Sequence, residues 1–181
     1  HAMTTVATGG FSTHDASLGY YNSPLIESVA ILFMIAGGLP IILYFQALRG
    51  NPSVIWQNTQ VQTFLGIIAG VTALLIFWLV FWQDFAFLDA LRYSLFNVVA
   101  VITTTGYASA DYNGWGTFAV AVFFMLIVVG GCTGSTSGGI KIFRFQVLYK
   151  TARVQIRQLI QPHGVFVPLY NGKPITENIS A

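Results

Sequence analysis

Charge is scarce in this chain. Only 8% of its 181 residues are Asp, Glu, Lys or Arg, against about 25% in an ordinary soluble domain. With 55% hydrophobic residues, too little polar surface remains to coat a globule in water, so the composition excludes a soluble domain and points to the bilayer. Cysteine is nearly absent: Cys132 stands alone, which excludes an internal disulfide and any multi-cysteine metal site. The histidines, His1, His14 and His163, are scattered, and nothing clusters with Cys132. The base, nucleophile or metal cluster that a membrane enzyme needs is therefore not in view, and neither an enzyme, a covalent cofactor nor a nucleic-acid partner is expected. A secretory signal is lacking too, because "HAMTTVATGG" has no basic and no long apolar segment. It reads as the middle of something longer.

What is present is long apolar sequence. Pro24–Leu48, Val61–Trp82 and Trp115–Gly131 are the three candidate spans. The 22 residues of Val61–Trp82 carry no charge and as a helix reach about 33 Å, enough for a hydrocarbon core of about 30 Å. Trp78, Trp82 and Trp115 suit interfacial anchoring. Leu88–Val101 is different. Its 14 residues make a helix of only about 21 Å, too short to cross, and it runs into "TTTGYASADYNGWG". A short apolar helix that turns and leaves on the side it entered is a re-entrant loop. Non-helical backbone at that depth is tolerated where it is buried in protein or lines a watery cavity.

Charge placement sets the expected orientation. Arg49, Lys141, Arg144, Lys150, Arg153 and Arg157 follow the first and third spans. The other side holds Asp15, Glu27, Asp84, Asp89 and Asp111, with Arg92 as its one cation. The positive-inside rule makes the basic segments cytoplasmic and opens the Thr-Gly turns outward.

The chain repeats itself. Thr8-Gly9-Gly10-Phe11 aligns with Thr104-Thr105-Gly106-Tyr107 at an offset of 96 residues, which also places Asp15 on Asp111. Each unit reads as short helix, Thr/Gly turn, acidic outer loop and apolar helix interrupted by a glycine pair. A cation stripped of water needs oxygens in its place, and backbone carbonyls supply them without a trapping charge. Gly10 and Gly106 can adopt the conformations that aim successive carbonyls one way. Thr8, Thr104 and Thr105 add hydroxyls, each short helix points its negative dipole end at the ion, and Phe11 and Tyr107 are expected to brace the loops from behind.

A second unusual stretch, "GGCTGSTSGGIK", fails the phosphate-loop template because no Gly-Lys-Ser/Thr occurs in it. Within a membrane, so much Gly, Ser and Thr is expected to unwind a helix part-way down. The residues concerned are Gly130, Gly131, Cys132, Thr133, Gly134, Ser135, Thr136, Ser137, Gly138 and Gly139. Lys141 directly after them is expected to snorkel.

"VATGGFSTHDAS" and "VITTTGYASADYN", together with the glycine-rich stretch, resemble the potassium-transporter superfamily of bacterial TrkH and KtrB and plant HKT proteins, and are closest to TrkH. The resemblance implies an all-α integral membrane fold of helix–pore-loop–helix repeats, four to a chain, around one ion path. It divides this chain into the end of repeat 2 (1–48), a cytoplasmic linker (49–60), repeat 3 with a basic cytoplasmic extension (61–161) and a linker towards a missing repeat 4 (162–181). It implies potassium as the transported ion, Thr8–Phe11 and Thr104–Tyr107 as filter, and 130–139 as a gate beneath it. It further implies a multi-pass protein of the bacterial inner membrane, a homodimer, and a cytosolic nucleotide-binding regulatory subunit of the TrkA type. A cation-coupled transporter with broken helices is the rival reading. It would place an ionisable residue at mid-membrane, and Val61–Trp82 and Trp115–Gly139 contain none.

Overall fold

A computed structural model describes residues 1–161, 169–170 and 173–174. The first unit comprises α1 (Ala2–Val6), a loop, a 3-10 turn at Ser17–Tyr21, α2 (Pro24–Gly38) and α3 (Ile41–Leu48). A short helix, α4 (Ser53–Gln57), leads to the second. That unit is α5 (Thr59–Trp82), α6 (Phe87–Ile102), a loop, a 3-10 turn at Tyr112–Trp115 and α7 (Thr117–Val128), followed by a further loop and α8 (Ile142–Ile160).

The Asn58 side chain caps α5 by accepting the Gln60 N–H at 2.9 Å. Its 24 residues extend about 36 Å, and among the described residues α5 is the one helix long and apolar enough to cross a membrane unaided. Val61, Phe64, Ile68, Thr72, Leu75 and Leu79 are buried along it. Their three- and four-residue spacing makes a single stripe, and that stripe packs chiefly on α6. Leu74, Phe77 and Phe81 stay exposed on the opposite side, as a lipid-facing surface would. At its end the Trp78 indole donates to the Trp115 carbonyl at 2.9 Å.

The short helix expected at 88–101 is α6, 16 residues or about 24 Å. Phe96, Asn97, Val98, Val99, Ala100 and Ile102 are all fully buried in its last two turns. A helix end without an exposed face sits inside protein, so its terminal loop is shielded from lipid, as re-entrant backbone must be.

Two of the three expected spans are not continuous helices. Pro24–Leu48 is broken into α2 and α3, which meet at 94°. Pro40 has no N–H to continue the helix and forces Leu39 into extended backbone (φ −88°, ψ 155°). Trp115–Gly131 contains only the 12 residues of α7, about 18 Å. There the glycine-rich segment takes over, with Val129 already extended. The basic stretch after it is α8. Among the described residues the fold is all α apart from an isolated bridge between Val129 and Ile140 and a two-residue antiparallel ladder pairing Leu169–Tyr170 with Lys173–Pro174. The chain's formal glycosylation sequon, Asn178-Ile179-Ser180, lies outside the described residues.

Candidate functional site

The two Thr/Gly loops share one backbone pattern. Thr8 (φ +51°) and Gly10 (φ +67°) are left-handed, as are Thr104 (φ +57°) and Gly106 (φ +77°), whereas Gly9 and Thr105 between them are not. Left-handed backbone is uncommon for a β-branched residue, and here it recurs at positions related by the 96-residue offset. Each loop is anchored to the same place on its short helix: Gly9 N–H donates to the Thr4 carbonyl at 2.8 Å and Gly106 N–H to the equivalent Ala100 carbonyl at 3.0 Å. Thr103 Oγ1 lies 2.7 Å from both the Val99 carbonyl and Thr105 Oγ1, which stiffens the second turn from within.

The loops lie against each other. A Cβ at Gly10 would fall on the Thr105 carbonyl oxygen, while one at Gly106 would meet nothing within 4 Å. Behind the second loop, Asn97 holds Ser109 through the Asn97 Nδ2–Ser109 Oγ contact (3.3 Å) and the Ser109 N–H donated to Asn97 Oδ1 (3.4 Å). From the first unit, Gly19 N–H donates to the Ala108 carbonyl (3.1 Å), and Ser17 Oγ accepts the Ala108 N–H (3.3 Å). Of the two aromatics expected to brace the loops, Tyr107 packs within this chain. Tyr107 is 2% exposed and Phe11 is 77% exposed within this chain.

The segment 130–139 folds back on itself beneath the loops. Gly130 N–H donates to the Ile140 carbonyl (2.9 Å) and Ile142 N–H to that of Gly131 (3.2 Å), so the segment's ends meet. Small residues are mandatory where its limbs cross. A Cβ at Gly130 would strike the Gly138 carbonyl, and one at Gly131 the Ser137 hydroxyl. Four structures hold the segment. Thr8 Oγ1 donates to Thr136 Oγ1 at 3.2 Å, and Thr104 Oγ1 accepts the Gly138 N–H at 2.6 Å. At the α2–α3 break, Gly38 and Gly37 carbonyls accept from Cys132 N–H (3.1 Å) and Thr136 N–H (3.2 Å), and Ile41 N–H donates to Gly134 (3.0 Å). Gln60 at the start of α5 accepts the Thr133 N–H at 3.0 Å. Lys141 does not snorkel. Its ammonium donates to the Ser137 carbonyl and lies 3.4 Å from the Ser135 and Ser137 hydroxyls, because carbonyls and hydroxyls within reach offer it better company than apolar surface.

A family model described as TrkH, cation transport protein, matches residues 1–181. The chain belongs to the TrkH family. It is 49% identical over 181 residues to the Trk system potassium uptake protein TrkI of Halomonas elongata, covering 99% of this chain and 37% of that protein. With the potassium uptake protein TrkH of Salmonella typhimurium it shares 33% identity, over 99% of this chain and 38% of the relative. The crystal structure of the potassium transporter TrkH from Vibrio parahaemolyticus superimposes with a TM-score of 0.91 at 28% identity, covering 98% of this chain and 39% of that one. The expected all-α membrane fold with pore-loop repeats is thus the fold of a TrkH-family chain, and this chain spans well under half the length of those relatives.

The remaining sequence candidates are ordinary. Asp111 caps its 3-10 turn by accepting from Asn113 N–H at 3.0 Å. With Asp15 it lines an open cleft of about 470 Å³. His14 stacks on Tyr20, ring centroids 3.9 Å apart. Sequence reading missed the ties between units, namely Tyr107 to Thr4 (2.5 Å), Ser17 and Gly19 to Ala108, and Arg92 to Glu27. The last had a usable signal, since Arg92 is the one cation on the acidic side.

Proposed function

We propose that this chain is the second and third quarters' share of a potassium uptake pore, with the loops 8–11 and 104–107 as two sides of a carbonyl selectivity filter. One observation carries the reading: equivalent loops from two repeats stand side by side with the same left-handed alternation at Thr8/Gly10 and Thr104/Gly106. Carbonyls so aimed replace an ion's hydration shell. Potassium is taken from the names of the relatives, since geometry alone supports any small monovalent cation.

The segment 130–139 acts as a gate in this reading. Support comes from its hydrogen bonds to Thr8 and Thr104 from below and from its glycine crossings, which let it fold without a helix's rigidity. The division into a repeat-2 end (1–48), linker (49–60), repeat 3 (61–161) and onward linker (162–181) belongs to the same proposal. So do residence in the bacterial inner membrane with lipid on the exposed apolar faces, a homodimeric assembly and a cytosolic TrkA-type regulatory subunit.

Rubidium and sodium uptake into proteoliposomes containing the native gene product tests the filter. Gly106→Ser keeps the space but not the backbone freedom, and is expected to lower rubidium flux or its preference over sodium. Equal flux and equal preference in both proteins would remove Gly106 from the ion path and with it the filter reading.

A further inference from the structure

We propose that the Tyr107 hydroxyl is a specificity-determining strut across the seam between the two filter loops, an inference that rests on the filter reading above. Tyr107 is a positioning residue: its ring is buried and its hydroxyl faces the neighbouring unit. That hydroxyl lies 2.5 Å from Thr4 Oγ1, 3.2 Å from the His1 carbonyl and 3.5 Å from the Phe11 carbonyl. Thr4 Oγ1 reaches the same two carbonyls, at 2.9 and 3.2 Å. The His1 carbonyl is already supplied by Thr5, through both its N–H and its hydroxyl at 2.8 Å. The two hydroxyl protons of Thr4 and Tyr107 therefore serve chiefly to link the hydroxyls to each other and to hold the Phe11 carbonyl. One repeat thus fixes the outer end of the other's filter loop.

Fixing that end has a chemical consequence. Where selectivity comes from cavity size, a ring of carbonyls prefers the larger cation by resisting closure around a smaller one, and a brace against inward relaxation contributes to it. The inner part of the seam is already fixed by Gly10 packed on the Thr105 carbonyl. The equivalent residue one repeat earlier is Phe11, which has no hydroxyl to offer. Loss of the Tyr107 oxygen leaves the loop's path defined, because Ala108 is still held by Ser17 and Gly19.

The test is rubidium and sodium uptake by the native gene product in proteoliposomes, for wild type, Tyr107→Phe, Thr4→Val and the double variant. Each single change is expected to lower the rubidium-to-sodium ratio about threefold to tenfold, the range set by one neutral hydrogen bond. The double variant should fall no further than the lower single, since both remove the same link. A residue of merely structural importance would reduce yield or both fluxes together and leave the ratio alone. An unchanged ratio in Tyr107→Phe at normal yield overturns the strut. Should Tyr107→Phe fail to fold, Thr4→Val decides on the same criterion. Gly106→Ser, run alongside, separates the two ideas: if it shifts the ratio and Tyr107→Phe does not, the strut alone falls. If neither shifts it and Gly106→Ser leaves the rubidium flux unchanged as well, the filter reading falls too.

Discussion

Arg92 grips Glu27 with two parallel bonds, Nε to Oε2 and Nη2 to Oε1, each 2.7 Å, and so joins α6 to α2. Glu27 is 2% exposed and Arg92 20%. A third bond runs from Arg92 Nη2 to Asn22 Oδ1 at 3.0 Å. The pair also explains how a carboxylate is tolerated in α2 at all.

Removing one partner should strand the other charge. Glu27→Gln and Arg92→Met are each expected to destabilise the protein by about 3–5 kcal/mol, the range for breaking a buried ion pair. Arg92→Lys should rescue little, since an ammonium cannot reproduce the planar fork. Thermal unfolding in detergent would show this, and unchanged melting in Glu27→Gln would mean that the pair contributes no net stability.

Gly10 and Gly106 should respond differently to the same substitution. Gly10→Ala is strained by its left-handed φ and also drives a methyl into the Thr105 carbonyl. Gly106→Ala meets only the backbone strain, about 1–2 kcal/mol. Rubidium uptake is expected to vanish for Gly10→Ala and to persist, with weakened selectivity, for Gly106→Ala. The reverse ranking would show that the close approach of the two loops is not required for transport.

Much of this arrangement was legible beforehand where residue chemistry alone decides it. The 24-residue α5 follows from an uncharged apolar run, and α6 from a helix too short to cross. The left-handed turns were signalled by Gly10 and Gly106, and the unwound segment by the glycines around Cys132. What the sequence hid depends on neighbours. Tyr107 looks like a plain aromatic brace, yet its hydroxyl reaches Thr4 of the other unit. Lys141 looks like a snorkelling side chain until a loop supplies it with oxygens. Likewise, the 94° turn at Leu39–Pro40 is visible in the sequence as a break, but not the use made of it, where the freed Gly37 and Gly38 carbonyls receive the segment 130–139.

If the segment 130–139 gates as proposed, Thr136 is the residue that holds it closed. Its hydroxyl donates to the Gly37 carbonyl at 3.1 Å and accepts from Thr8 at 3.2 Å. Thr136→Val keeps the shape and deletes both bonds, together worth about 1–3 kcal/mol. Resting rubidium leak is expected to rise about fivefold or more, with the rubidium preference over sodium retained because the first loop keeps its backbone ties, Thr8 N–H to Thr5 (3.2 Å) and Gly9 N–H to Thr4 (2.8 Å). A leak equal to wild type would mean that these bonds do not restrain the segment.

Cys132 offers an independent report on the same segment. It is fully buried, and its N–H is tied to the Gly38 carbonyl, so a thiol reagent can reach it only when the segment leaves the α2–α3 break. With Cys132 as the sole cysteine, a membrane-permeant maleimide should label the resting protein slowly. If Thr136→Val opens the segment by shifting an equilibrium, labelling should accelerate by the same factor as the leak, because both measure the open fraction. Leak that rises without faster labelling would place the flux on another route. Faster labelling without leak would mean that the segment moves but does not close the path.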